Sequence, residues 1–138
     1  MPKIKGIDHI AIVVDDIESA LGFWRDVLGL ELDHVEEILE QQSLVAFLPV
    51  DGSEIELVEP TSDDSGVARY LKKHGPGMHH ICLQVEALES TLAELKAKGV
   101  HLINETPLEV SGGKRLAFIH PKSTQGVLVE LYELNQES

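Results

Sequence analysis

Four residues in this chain pair metal-binding chemistry with an internal repeat. His9 stands in the run Asp8-His9-Ile10-Ala11-Ile12-Val13-Val14, and His80 in His79-His80-Ile81-Cys82-Leu83-Gln84-Val85. Glu56 stands in Ile55-Glu56-Leu57-Val58-Glu59, and Glu130 in Val129-Glu130-Leu131-Tyr132-Glu133. The two histidines are 71 residues apart and the two glutamates 74. Each half of the chain thus opens on an apolar strand bearing a His and closes on one bearing a Glu. A neutral imidazole and a carboxylate from each half suit a divalent cation such as Co²⁺, Mn²⁺, Fe²⁺ or Zn²⁺. A repeat of this length means that one structural unit occurs twice. His9, Glu56, His80 and Glu130 are therefore the expected metal ligands.

Their neighbours sharpen the expectation. A His inside an apolar strand must satisfy both ring nitrogens. One such His reads most simply as a core histidine, but two at matched positions point to a shared role. A carboxylate between aliphatic residues is costly to bury unless a cation or donor faces it; on a solvated face it would be ordinary. Side chains alternate along a strand, so His79 and His80 face opposite ways, and the repeat selects His80. His34, His74, His101 and His120 have no repeat partners and read as surface or turn residues. Glu54, Glu59 and Glu133 read as solvent-facing or strand-end residues, and Phe23, Trp24, Phe47, Phe118 and Met78 as core. No Ser/His/Asp array, cysteine pair or phosphate-binding glycine loop is visible.

These residues need elements to hold them. Ile7 to Val14 reads as a buried strand, followed by a helix capped by Asp15-Asp16 and ended at Gly29. Glu31 to Leu39, Leu44 to Val50 and Ser53 to Glu59 read as strands, the last two joined at Asp51-Gly52. A polar connector leads to a helix over Val67 to Lys73, broken by Gly75-Pro76-Gly77. The plan then repeats: strand His79 to Val85, helix Leu88 to Lys98, short strand Val100 to Ile103, a turn at Gly112-Gly113, and strands Arg115 to His120 and Val127 to Leu134. One β-α-β-β-β half cannot cover both faces of its own sheet. We therefore expect one α+β domain over residues 1–138, built as two tandem βαβββ modules forming a curved, mostly antiparallel sheet around a metal site. Module one covers about 6–60, the connector 61–77 and module two 78–135.

Composition narrows the function. A hydrophobic fraction of 43% supports a real core, and a formal net charge of −13 argues against nucleic acid, which needs a basic footprint. No apolar run reaches the length of a membrane span, and no secretory leader is evident. With Cys82 as the single cysteine, no internal disulfide can form. A reducing, cytoplasmic setting is expected. Basic residues cluster locally at Lys72-Lys73-His74, Lys114-Arg115 and Lys122.

Taken together, Asp8-His9-Ile10-Ala11, Phe23 to Gly29, Glu56 to Pro60, Gly77-Met78-His79-His80-Ile81-Cys82, and His120-Pro121-Lys122 with Gly126 to Leu131 resemble the vicinal oxygen chelate (glyoxalase-like) superfamily. Within it they resemble the methylmalonyl-CoA epimerases, over nearly the whole chain. The resemblance implies an isomerase that inverts methylmalonyl-CoA by removing the proton alpha to the thioester, through a metal-stabilised enolate. It implies metal ligation by His9, His80 and Glu130 with Glu56 as a further ligand. It also implies Glu130 and Glu56 as acid/base groups and an acyl-CoA as small-molecule partner, without nucleic acid or membrane. Co²⁺ is the foremost metal, with Mn²⁺, Zn²⁺, Ni²⁺ and Fe²⁺ as alternatives, and a homodimer is expected. A second acid/base Glu found in some members falls near Val45, which cannot carry a proton; Glu56 is the substitute. The same scaffold also serves glyoxalase I-type isomerases, extradiol-type dioxygenases and metal-free small-molecule binding proteins.

Overall fold

The structure, a computed structural model, describes residues 1–110 and 112–134. Packing divides the chain into two compact units, one of His9–His79 and one of Met1–Asp8 with the chain from His80 onward. Strand β1 (Ile4–Val13) begins in the second unit and ends in the first. The first unit continues with α1 (Ile17–Trp24), β2 (His34–Ile38), β3 (Ser43–Val50), β4 (Ser53–Pro60) and α2 (Gly66–His74). The second contains β5 (Gly77–Val85, from His80), α3 (Leu88–Ala97), β6 (Leu108–Val110), β7 (Lys114–Ile119) and β8 (Val129–Leu134).

In the first unit the strands run in the order β2-β3-β4-β1, and in the second β1-β5-β8-β7-β6. Both follow one scheme. The His-bearing strand pairs in parallel with the Glu-bearing strand, and the pairs β2–β3, β3–β4, β6–β7 and β7–β8 are antiparallel. The fold is α+β with a mixed, mostly antiparallel sheet, as the repeat predicts.

Each unit buries one sheet face under its helix. In the first, Ala46, Leu48 and Leu57 pack against Ile17 and Leu21 of α1. In the second, Ala117, Ile119 and Leu131 pack against Leu88 and Leu92 of α3. Removing water from the leucines and isoleucines among them stabilises each by roughly 1.5–3 kcal/mol. Period-two burial on the strands and 3.6-residue spacing on the helices put these residues on the helix side. The opposite face carries the expected ligands, and in the first unit part of it is closed by Ala11, Val45 and Val58 with Val67 of α2. Among the described residues no helix is long and apolar enough to cross a membrane.

The structure departs from the sequence reading at several places, beginning with β1, which starts at Ile4 rather than Ile7. The first helix ends at Trp24 rather than near Gly29, because Asp26 N donates to Leu21 O and Leu28 N to Phe23 O, which widens the turn. Gly29 closes it with φ +90°. The second strand starts at His34 rather than Glu31. Val100 to Ile103 is not a strand: only Leu102 makes an isolated bridge, to Ile119. Leu108–Val110, after Pro107, supplies the edge strand against β7 instead. Three residues around one Glu give too little alternation to read from sequence.

Candidate metal and acid/base site

Register fixes where the four expected ligands point. Glu56 lies opposite Ala11, two residues beyond His9 on β1. Glu130 lies opposite Cys82, two residues beyond His80 on β5. Paired residues share a sheet face, and so do residues two apart on a strand. In each unit the His and the Glu therefore face the same way, away from the helix, in the same register.

The side chains meet accordingly. His9 Nδ1 is 3.3 Å from Glu56 Oε2, and His80 Nε2 is 3.0 Å from Glu130 Oε1. His9 and Glu130 are buried at 9% and 7% exposure, whereas the side chains of Glu56 and His80 keep 15% and 14%. A carboxylate buried to this degree calls for a positive partner. Nitrogen and oxygen donors so arranged fit a first-row divalent cation, so the residues present suit the metal that the repeat implies.

Two aromatic residues share this face. Phe47 lies opposite Glu56 on β3, and Phe118 opposite Glu130 on β7. Phe118 stands edge-on to the His80 ring at 5.8 Å between centroids, and Phe47 stacks on His34 at 4.5 Å. Both are half-buried on the ligand face, rather than in the helix-side core as composition suggests. Their 71-residue offset, equal to that of the histidines, was the available signal. Trp24 packs against the core as expected, whereas Phe23 and Met78 are exposed. Val45 is buried with Ala11 and Val58 in an apolar cluster. It lies opposite Val58, on the same face as Glu56. Next to Glu130 on its own face stands Tyr132. Burial, then the charges of Asp8 and Cys82, push its phenol up and keep it protonated.

Glu59 and Glu133 lie at strand ends, as expected, but their carboxylates are engaged rather than solvated. Glu59 Oε1 accepts the Ile17 amide at 2.9 Å, and Glu133 Oε1 accepts the Leu88 amide at 2.5 Å. Helix N-termini carry unsatisfied N–H groups and favour negative charge, which explains both bonds. The surface histidines behave as expected. His34, His74, His101 and His120 are exposed, and His79 packs edge-on against Tyr70. His34 pairs with Asp33 and Glu36, and these bonds, Asp33 first, raise its pKa.

Comparison with known proteins agrees with the geometry. Residues 8–118 match the Glyoxalase/Bleomycin resistance protein/Dioxygenase superfamily. The chain is 35% identical to the mitochondrial methylmalonyl-CoA epimerase of Mus musculus, over 94% of this chain and 73% of that one. It superposes on the methylmalonyl-CoA epimerase of Mycobacterium tuberculosis with a TM-score of 0.86 at 35% identity, covering 96% and 90% of the two chains. A single-residue variant of the Streptomyces coelicolor methylmalonyl-CoA epimerase, in complex with 2-nitronate-propionyl-CoA, aligns with a TM-score of 0.83 at 36% identity, covering 95% and 98%. The chain belongs to the glyoxalase/bleomycin resistance protein/dioxygenase superfamily and, within it, to the family of the methylmalonyl-CoA epimerases.

Proposed function

We propose that this protein interconverts the two configurations of methylmalonyl-CoA with a divalent cation held by His9, Glu56, His80 and Glu130. The observation that carries the reading is the duplicated His–Glu pair, set in one register in both halves of a chain whose relatives are epimerases. His9 with Glu56 in one half, and His80 with Glu130 in the other, each set an imidazole beside a carboxylate, donors that suit a divalent cation. Co²⁺ is the first choice, then Mn²⁺.

The bound cation would supply Lewis acidity, stabilising negative charge on the thioester oxygen as the alpha proton leaves. The chain's own residues do the rest. Inversion requires removal of the proton on one side of the carbon and its return on the other, so two acid/base groups are needed. Glu130 and Glu56 fill these roles, one from each half. Val45 on the same face as Glu56 carries no proton, which leaves Glu56 as the second base. Phe47 and Phe118 lower the water content around the carboxylates and raise the strength of their interactions with charge.

The protein is further proposed to act as a cytoplasmic homodimer. Cys82, a buried thiol, suits a reducing compartment, and Phe23, Val27 and Leu28 form an exposed apolar group for a second copy. Light scattering at micromolar concentration tests the dimer.

The activity is tested by supplying one epimer of methylmalonyl-CoA in D₂O. The expected result is loss of optical purity together with deuterium at the alpha carbon. Retained optical purity with a fully protonated carbon refutes the assignment.

A further inference from the structure

The helix-capping bonds of Glu59 and Glu133 repeat as strictly as the ligands do. In each half the amide that is accepted lies eight residues after the His, Ile17 after His9 and Leu88 after His80. The carboxylate that accepts it lies three residues after the ligand Glu, Glu59 after Glu56 and Glu133 after Glu130. An odd spacing along a strand turns the two carboxylates of each pair to opposite faces. One meets the imidazole; the other reaches through to the helix that follows the imidazole's strand. Each half is thus a closed circuit: His strand, helix N-terminus, carboxylate, Glu strand.

We infer that Glu59 and Glu133 are positioning residues that lock the Glu-bearing strand in register against the His-bearing strand, and so set the distance between the two ligands of each half. The inference rests on the metal-binding reading above. Sliding β4 or β8 by one residue would turn Glu56 or Glu130 to the helix face. The same slide would pull Glu59 or Glu133 off its amide, so a charge-assisted hydrogen bond at a helix end opposes it. The two locks differ in strength. The α1 N-terminus has a second side-chain acceptor, Asp16, which takes the Ser19 amide at 2.9 Å. At α3 the N-cap is Ala87, which makes no side-chain cap bond. Glu133 is further gripped by Arg115, whose other nitrogen holds Glu89 at 2.5 Å. The second half therefore depends more on its lock.

The test compares two caps of one helix and two variants of one lock, reading Co²⁺ affinity and the visible absorption of bound Co²⁺. Glu133→Ala is expected to weaken Co²⁺ binding about tenfold and to change the absorption band, as loss of a support behind a ligand does. Glu59→Ala does the same more weakly. Glu133→Gln keeps an oxygen for the Leu88 amide and restores affinity to within about twofold. Asp16→Ala removes a cap that no ligand strand supplies, so it lowers the melting temperature and leaves Co²⁺ affinity unchanged. If an alanine variant does not fold, Glu133→Asp, one methylene shorter, gives the same displaced band. Wild-type affinity and spectrum in the folded Glu133→Ala or Glu133→Asp protein would overturn the inference and leave the metal reading standing. Absence of Co²⁺ binding by the wild type would overturn both, before any variant is made.

Discussion

Two carboxylates carry the proposed proton transfers. Glu130→Gln keeps the shape of the side chain but removes its ability to take a proton, and turnover is expected to fall about a thousandfold. Glu56→Gln is expected to cut turnover less where amide oxygen can still serve as a ligand. If Glu56 is the second base, it also slows deuterium entry from one epimer more than from the other. Steady-state rates with each epimer measure both effects. A second residue-scale expectation concerns pH. His34 has a raised pKa because it pairs with Asp33 and then Glu36. Its charged form is therefore favoured in the folded state. The stabilisation is fully present below the ordinary histidine pKa of 6.5 and is lost as pH rises through the higher folded value. His34→Gln should lower the melting temperature more at about pH 6 than at about pH 9, where only the ring's stacking on Phe47 is lost. The four proposed ligands stand out in the sequence because chemistry and repeat coincide there. Glu59 and Glu133 do not, although they repeat too, because a carboxylate at a strand end looks solvated until the helix it caps is in place.

At the element scale the turn between β3 and β4 offers a clear test. Asp51 and Gly52 have φ of +42° and +88°, the left-handed pair that matches the twist of a two-residue hairpin. Gly52→Ala places a side chain in that region and is expected to cost about 1–2 kcal/mol, read from chemical denaturation. The hairpin carries Phe47 and Glu56 opposite each other, so metal affinity reports whether its register survives. Most elements were readable from apolar periodicity, turn residues and caps. The exceptions have two different causes. α1 ends early through hydrogen bonds that skip a residue, and β6 exists only because β7 offers an edge to Leu108–Val110. Local bonding geometry decided the first and strand pairing the second, and apolar periodicity encodes neither.

At the scale of the whole molecule charge is the dominant feature. Under the proposed function, a chain of net charge −13 takes up a substrate that is itself an anion. Long-range repulsion slows encounter and is screened by salt, with a Debye length of about 10 Å at 0.1 M. The specificity constant for methylmalonyl-CoA is therefore expected to rise as ionic strength is raised from about 10 to 150 mM, at fixed pH. A fall would mean that a basic patch such as Lys72-Lys73 governs capture. The doubled architecture was visible in the sequence as two matched offsets. What the sequence could not give was register: that both Glu strands pair two residues past the His follows from strand pairing alone. The central claim is that one divalent cation, held by both halves, is required for inversion at carbon. Its most direct measurement is turnover of a single methylmalonyl-CoA epimer by protein stripped with chelator, dialysed, and titrated with Co²⁺ while bound metal is quantified. The account predicts at least a hundredfold loss on stripping, with full recovery at about one ion per chain. Undiminished inversion by protein that holds no metal would contradict it.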